Sequence, residues 1–130
     1  MIKYIVLILA VAGGYYYVSR HCNLANAERL ISEHKGASWA PRARYTVALF
    51  YDQREDYPKA QEAFTRLLSE YPTCQYVPSV LIHVDEVAQE NQDWAAAKAA
   101  LARYVEEFPE GKDIELARKR LEMLRYHHGP

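Results

Sequence analysis

The chain has little of what enzymes and metal proteins usually carry. Its 130 residues include only two cysteines and no CxxC or CxxCH motif, so neither a cysteine zinc site nor a covalent haem is indicated. There is no Gly-rich phosphate loop, no HExxH motif and no local Ser/His/Asp arrangement. The formal net charge is −1, which offers no basic surface to nucleic acid. We therefore expect no enzyme activity, no cofactor, no small-molecule substrate and no nucleic-acid partner.

A few polar clusters could carry chemistry, but each has a simpler interpretation. His127-His128 lies where the last helix is expected to fray, and two adjacent imidazoles lack the spacing and third ligand of a metal site. His21-Cys22 could be a ligand pair or a palmitoylation site, or ordinary residues at a membrane boundary. Cys22 and Cys74 could pair in an oxidising compartment or remain free thiols. No metal site is expected.

The first 20 residues differ in composition from the rest. An apolar and aromatic run between Lys3 and Arg20 is at the short end of the roughly 17–25 residues that span a bilayer, and a tyrosine triplet stands where an interfacial aromatic belt is expected. The alternative is a signal peptide cleaved after Ala12, although it would be shorter than the usual roughly 15–30 residues. A lipoprotein signal that ends at Cys22 is not favoured, because Ser19-Arg20-His21 puts charge where small apolar residues are required.

We predict a single membrane-spanning helix over residues 1–20, followed by a helical domain over 21–130 on the periplasmic side. The predicted anchor residues are Tyr4, Ile5, Leu7, Leu9, Tyr15, Tyr16 and Tyr17.

A block of sequence occurs twice, 37 residues apart. Val47 aligns with Val84, Ala60 with Ala97, and the segment 70–72 with 107–109. A period of roughly 20–50 residues is typical of stacked repeat units. Helical spacing of apolar residues, with Pro41 and Pro78 suited to first helical positions, predicts helices throughout. The expected parts are a half unit over 23–36, units over 41–72 and 78–109, and a capping helix over 113–126.

These residues resemble the tetratricopeptide repeat, a helix-turn-helix unit. The matching positions in the first unit are Val47, Ala48, Tyr51, Tyr57, Ala60, Phe64, Leu67 and Pro72. In the second unit, Asp85 and Ala88 stand where the repeat prefers a small residue and an aromatic one. The extra residues lie in the loops 71–78 and 34–41, a form that looks like repeats of bacterial envelope proteins: outer-membrane assembly lipoproteins and the Tol-Pal-associated coiled-coil protein. The implied fold is all-α, an α-solenoid of about 2.5–3 units after the membrane helix.

The resemblance implies that the first helix of each unit lines a partner-binding groove. Tyr45 and Leu49 stand where chaperone-binding members carry Lys and Asn, so the carboxylate clamp of those members is absent. The remaining strip suits a helix or an extended segment of another protein; the alternative is that Tyr45 and Leu49 only pack against the next helix. The expected groove residues are Arg42, Tyr45, Leu49, Asp52, Ile82, Glu86 and Gln89, with Lys119 and Met123 extending the row.

Two functions are compatible with this interpretation. The first is a non-catalytic scaffold, an accessory subunit that contacts other proteins of a membrane or cell-envelope complex and touches membrane lipid through its first helix. The second is a membrane-tethered recruitment receptor, which captures a client peptide or helix transiently in the same groove. An incomplete stack favours a partner in both cases, because one unit cannot bury its own apolar face.

Overall fold

The computed structural model describes residues 1–21 and 24–129, with side chains outside 18–25. Every regular element within this part of the chain is an α-helix, which confirms the predicted helical stack. The chain forms two compact units, Met1–Lys35 and Gly36–Pro130. The helices are α1 (Ile2–His21), α2 (Leu24–Glu33), α3 (Ala40–Gln53), α4 (Tyr57–Glu70), α5 (Val77–Glu90), α6 (Trp94–Glu107) and α7 (Ile114–His128). Cys22 and its proposed pairing or modification lie outside the described residues, and Cys74 is a free thiol.

The prediction of a membrane-spanning helix is wrong. Among the described residues, no helix is both long and apolar enough to cross a bilayer. The strongly apolar run of α1 ends at Val11, and it is followed by Gly13, Gly14 and three tyrosines, which contribute little hydropathy. The side chains from Ile2 to Tyr17 are all exposed, and these include the seven residues that were expected to form the anchor: Tyr4, Ile5, Leu7, Leu9, Tyr15, Tyr16 and Tyr17.

The second unit contains two helical hairpins, α3–α4 and α5–α6. The two helices of each hairpin are joined by the same type of short turn. Glu55 and Gln92, which are 37 residues apart, both adopt a left-handed backbone, with φ of 60° and 58°. At the second turn, the Gln92 amide donates to the Gln89 carbonyl at 3.0 Å and the Asp93 amide to the Ala88 carbonyl at 2.8 Å. This pair of bonds ends the helix as a Schellman motif. The Asp93 carboxylate then accepts from the Ala96 amide at 3.2 Å, so one residue closes α5 and caps α6.

We expect Gln92→Gly to stabilise the protein by about 0.5–1 kcal/mol. The left-handed conformation costs a residue with a Cβ roughly 1–2 kcal/mol, and the greater freedom of glycine in the unfolded chain offsets part of that gain. Urea denaturation measures the change. In the exposed middle of α6, Ala99→Gly should instead destabilise by about 1 kcal/mol. Equal losses in both variants would mean that the turn carries no strain.

The core of the second unit forms between successive helices. Contacts join α3 to α4, α4 to α5, α5 to α6 and α6 to α7. Small residues on α4 and α6 allow close approach of the helices, while larger side chains fill the spaces between them. The hydrophobic members with no exposed surface are Ala40, Ala48, Ala60, Phe64, Leu67, Val80, Ala88, Ala97, Leu101 and Ala117.

One face of α7 is charged. Arg118, Glu122 and Arg125 are exposed on α7, one repeat after positions on α5 that are buried: Leu81, Asp85 and Ala88. Charged side chains keep water at this face of α7, so α7 differs there from the equivalent helix of the preceding unit.

Candidate protein-binding cleft

An open cleft lies between α5 and α7, with the start of α6 at one end. Its volume is about 620 Å³. We call this the α5–α7 cleft; it is lined by Glu86, Gln89 and Glu90 of α5, Trp94 of α6, and Leu116, Lys119, Arg120, Met123, Leu124, His127 and His128 of α7. Both α5 and α7 are first helices of their units in the repeat, so the cleft lies on the side of the stack that the first helices form.

One face of α7 forms a wall of the cleft. Leu116, Lys119, Met123 and His127 recur at spacings of three and four residues, which places them in one row along a helix. Leu116 is 38% exposed and Met123 is 51% exposed. The row therefore presents apolar surface interrupted by one permanently charged group, and this composition is suited to contact with another protein.

The end of the cleft is closed by a stacked pair of rings. Trp94 and His128 stack with their centroids 3.9 Å apart and their planes 7° apart. The Lys98 ammonium donates to the carbonyl of His128 at 3.2 Å and to that of Gly129 at 3.0 Å, which satisfies carbonyls at the end of α7. The expectation of a frayed end was wrong: α7 continues through His128 because this residue packs on α6.

The equivalent junction between hairpins, one repeat earlier, is formed by different residues. Asn91 occupies the position equivalent to His128, and its side-chain amide donates to the Tyr57 carbonyl at 3.0 Å and to the Gln61 side chain at 2.7 Å. Gln61 in turn donates to the Asp93 carboxylate at 2.8 Å. An amide network in one unit is thus replaced in the next by ring stacking and a lysine. Residues that the repeat pattern treats as turn positions fasten one hairpin to the next.

Beneath the cleft, a buried carboxylate joins α5 to α7. Asp85 has no exposed surface, accepts from the Gln89 amide at 2.7 Å and accepts from the Arg120 guanidinium at 2.9 Å. Arg120 also reaches Glu86 at 3.4 Å. Burial raises the pKa of Asp85, and the bonds from Gln89 and Arg120 oppose that rise. Burial lowers the pKa of Arg120, but the hydrogen bonds and charges of Asp85 and Glu86 outweigh it, so the pKa of Arg120 is raised. The Asp85–Arg120 pair thus joins α5 to α7 directly beneath the cleft.

The predicted groove residues fall into two groups. On α3, Tyr45 is half-buried and stacks on Tyr76 with centroids 4.8 Å apart, and its hydroxyl lies 3.4 Å from His83 Nε2. Burial raises the pKa of Tyr45, and a hydrogen bond with Ser79 opposes that rise. Ile82 is 9% exposed. Arg42 is exposed, and Leu49 and Asp52 are half-buried. Of the predicted row, Glu86 and Gln89, together with Lys119 and Met123 that were expected to extend it, line the α5–α7 cleft.

Between α3 and α5 lies an aromatic and polar cluster that the sequence did not indicate. His83 stacks on Phe64 with centroids 5.0 Å apart and planes 1° apart. Its Nδ1 is buried and has no hydrogen-bond partner within the described residues, with the nearest oxygens of Asp52 and Glu86 at 3.9 and 4.0 Å. Side chains fill the space that an open groove would need at this level.

Several residues of the cleft escaped the sequence interpretation. Asp85 gave a signal, because it stands where the repeat prefers a small residue. Arg120 gave none, since an arginine on a terminal helix is usually solvated. Arg120, however, lies 37 residues after His83. It therefore occupies the equivalent position in the repeat, on the face that approaches the neighbouring first helix. Trp94 was not among the expected groove residues, and its place in the cleft depends on where the end of α7 packs.

These features define a class of protein. Repeated helical hairpins, joined by equivalent turns and presenting an open cleft between first helices, make the second unit a tetratricopeptide-type helical stack. Residues 38–120 match the family described as "YfiO: Outer membrane lipoprotein". The match covers more than half of the chain, so the protein belongs to this family, and the resemblance to envelope repeat proteins is confirmed at that level. No curated protein matches the chain.

Proposed function

We propose that the protein is a non-catalytic interaction subunit of a larger cell-envelope complex, with its helical domain on the periplasmic side. The observation that carries the proposal is the α5–α7 cleft, an apolar surface bordered by charge and held open by a buried ion pair. Membership of an outer membrane lipoprotein family supports the placement in the envelope. A partner segment seated in the cleft would cover the exposed parts of Leu116 and Met123.

The polar groups around the cleft favour binding rather than chemistry. Asp85 and Gln89 are engaged with each other, and Arg120 is engaged with Asp85 and Glu86. A general acid or base needs a group that is free to exchange a proton with a substrate. Here the carboxylate and the guanidinium instead hold two helices at a fixed spacing, so their role is to shape a surface.

The first helix supports the same proposal from another part of the chain. Between Ile2 and Val11, α1 exposes apolar side chains on every side. A helix that is apolar all round is normally covered by other protein or by lipid. We include in the proposal that α1 is covered within the complex, by other subunits and by membrane lipid at its surface.

The test is the size of the native particle. Membranes are extracted in a mild detergent, the particle is sized, and co-migrating proteins are identified by mass spectrometry. We expect a large particle that contains this chain in fixed proportion to its partners. A stable, partner-free monomer would contradict the proposal, and a monomer that captures a client only transiently would favour a recruitment receptor instead.

A matched pair of variants connects the particle to the cleft. Met123→Glu places a charge on the apolar row of α7, whereas Tyr126→Glu changes a side chain that is 85% exposed and does not line the cleft. We expect the Met123→Glu chain to dissociate from the large particle and the Tyr126→Glu chain to remain in it. Dissociation of both variants, or of neither, would place the contact elsewhere on the chain.

A further inference from the structure

Two charged groups in the α5–α7 cleft form no ion pair within the described residues. Lys119 on α7 and Glu90 at the end of α5 both line the cleft, and neither makes a side-chain hydrogen bond in this part of the chain. Arg120 and Glu86 are paired with each other at 3.4 Å. The cleft therefore offers a partner one free positive and one free negative group.

The repeat register places these two charges apart along the cleft. Glu90 is 37 residues before His127, so it lies at the level of His127 on the neighbouring first helix. Lys119 is two turns of α7 before His127, which corresponds to roughly 12 Å along the helix axis. The positive group thus lies towards the Leu116 end of the cleft, and the negative group lies towards the end closed by Trp94 and His128.

Apolar surface occupies the space between the two charges. Met123 lies one turn after Lys119 and one turn before His127, and half of its surface is exposed. A flexible thioether adapts to the shape of an inserted side chain. The face of α7 that lines the cleft runs from Leu116 to His127, which is about three helical turns. A helix of similar length is long enough to contact the whole row.

We infer that the cleft binds an amphipathic helix of a partner protein, with an acidic and a basic residue about two turns apart and an apolar residue between them. The acidic residue pairs with Lys119, the apolar residue packs on Met123, and the basic residue pairs with Glu90. This inference rests on the proposed function and adds the chemistry of the occupant. Opposite charges at the two ends of the cleft also set the direction of the bound helix, because the reversed orientation would oppose like charges.

The experiment uses two synthetic helical peptides of identical composition. The first has Glu and Lys seven residues apart with Leu between them on the same face; the second has the same Glu and Lys on the opposite face. Binding to the full chain carrying Trp39→Phe is followed by fluorescence, so that Trp94 at the end of the cleft is the reporter. We expect the first peptide to bind at least about tenfold more tightly than the second.

Charge variants of the protein test the pairing directly. Lys119→Glu should weaken binding of the first peptide about three- to tenfold at low salt, and a peptide with its Glu changed to Lys should recover that loss. Lys112→Glu, the same charge change on an exposed residue outside the cleft, should have little effect. Equal binding of the two peptides, or equal effects of the two variants, would overturn the inference.

The native particle distinguishes this result from failure of the proposed function. If Met123→Glu dissociates the large particle while the two peptides bind equally, the cleft is an interface but its occupant has a different chemistry. If the particle persists with Met123→Glu and neither peptide binds, the proposed occupant and the proposed binding role of the cleft are both wrong.

Discussion

Arg120→Ala is expected to lower the free energy of unfolding by about 2–4 kcal/mol. Removal of one partner of a buried pair typically costs roughly 3–5 kcal/mol, because it leaves the other charge uncompensated. Asp85 is completely buried, whereas the Arg120 side chain is 30% exposed, and this exposure shifts the estimate below that range by about 1 kcal/mol. Urea denaturation at neutral pH measures the loss.

Two further variants separate loss of the pair from loss of an arginine. Arg118→Ala removes the same side chain two residues earlier in α7, where it is 55% exposed and 3.5 Å from Glu115, and should cost less than about 0.5 kcal/mol. Asp85→Ala introduced into the Arg120→Ala protein should recover much of the stability, because Ala48 occupies the equivalent position one repeat earlier and is fully buried. Additive losses in the double variant would show that the two residues are not coupled.

The cost of Arg120→Ala should also depend on pH. Burial raises the pKa of Asp85 above its ordinary value, so the folded state binds a proton more readily than the unfolded state does. The destabilisation from the ionised carboxylate is therefore present above the folded-state pKa and is lost as the pH falls through it. We expect the stability difference between wild type and Arg120→Ala to shrink on acidification. A difference that grows in acid would mean that Asp85 is not the group left unpaired.

Gly111→Ala is expected to destabilise the protein by about 1–3 kcal/mol, the usual cost of overpacking. A Cβ at this position would overlap the hydroxyl of Tyr104 and crowd the Phe108 carbonyl at 3.1 Å. Tyr104 cannot easily move away, since it is 1% exposed and its hydroxyl accepts from the Asp113 amide at 3.0 Å. Thermal and urea unfolding measure the effect. Gly36→Ala is the matched control, because nothing lies within 4 Å of its added Cβ, and it should be close to neutral.

Tyr104→Phe tests the cause. Alone it should cost about 0.5–1.5 kcal/mol, because the Asp113 amide loses its acceptor. Combined with Gly111→Ala it should cost less than the two changes added together, since removing the hydroxyl makes room for the methyl group. The preceding unit already uses such a combination, with Leu67 and Cys74 at the equivalent positions. Strict additivity would contradict the steric explanation.

The repeat shows which features of the fold can be predicted from the sequence. The 37-residue period predicted equivalent hairpins, and the turns at Glu55 and Gln92 have the same conformation. Local signals such as Asp56, Asp93 and the prolines at Pro41 and Pro78 mark helix starts because capping and the fixed φ of proline act within a few residues. Such signals are legible without knowledge of the rest of the fold.

The first helix shows where composition misleads. Apolar residues near its start and tyrosines near its end were interpreted together as a membrane span, yet no described helix meets the length and hydropathy that crossing a bilayer requires. The aromatic residues that suggested an interfacial belt are the same residues that lower the hydropathy of the run. The tyrosines thus favoured the prediction of a membrane span while lowering the hydropathy that such a span requires.

The sequence by itself determined the helical repeat, its period and its turns, because these depend on interactions among residues near each other in the chain. Only the tertiary structure decided where open surface lies. Ile82 is buried and Tyr45 is half-buried, because Tyr76, Phe64 and His83 lie in the space between α3 and α5. Beneath the α5–α7 cleft, an ion pair between Asp85 and Arg120, 35 residues apart, joins the two helices. A contact across that separation leaves no periodic trace in the sequence.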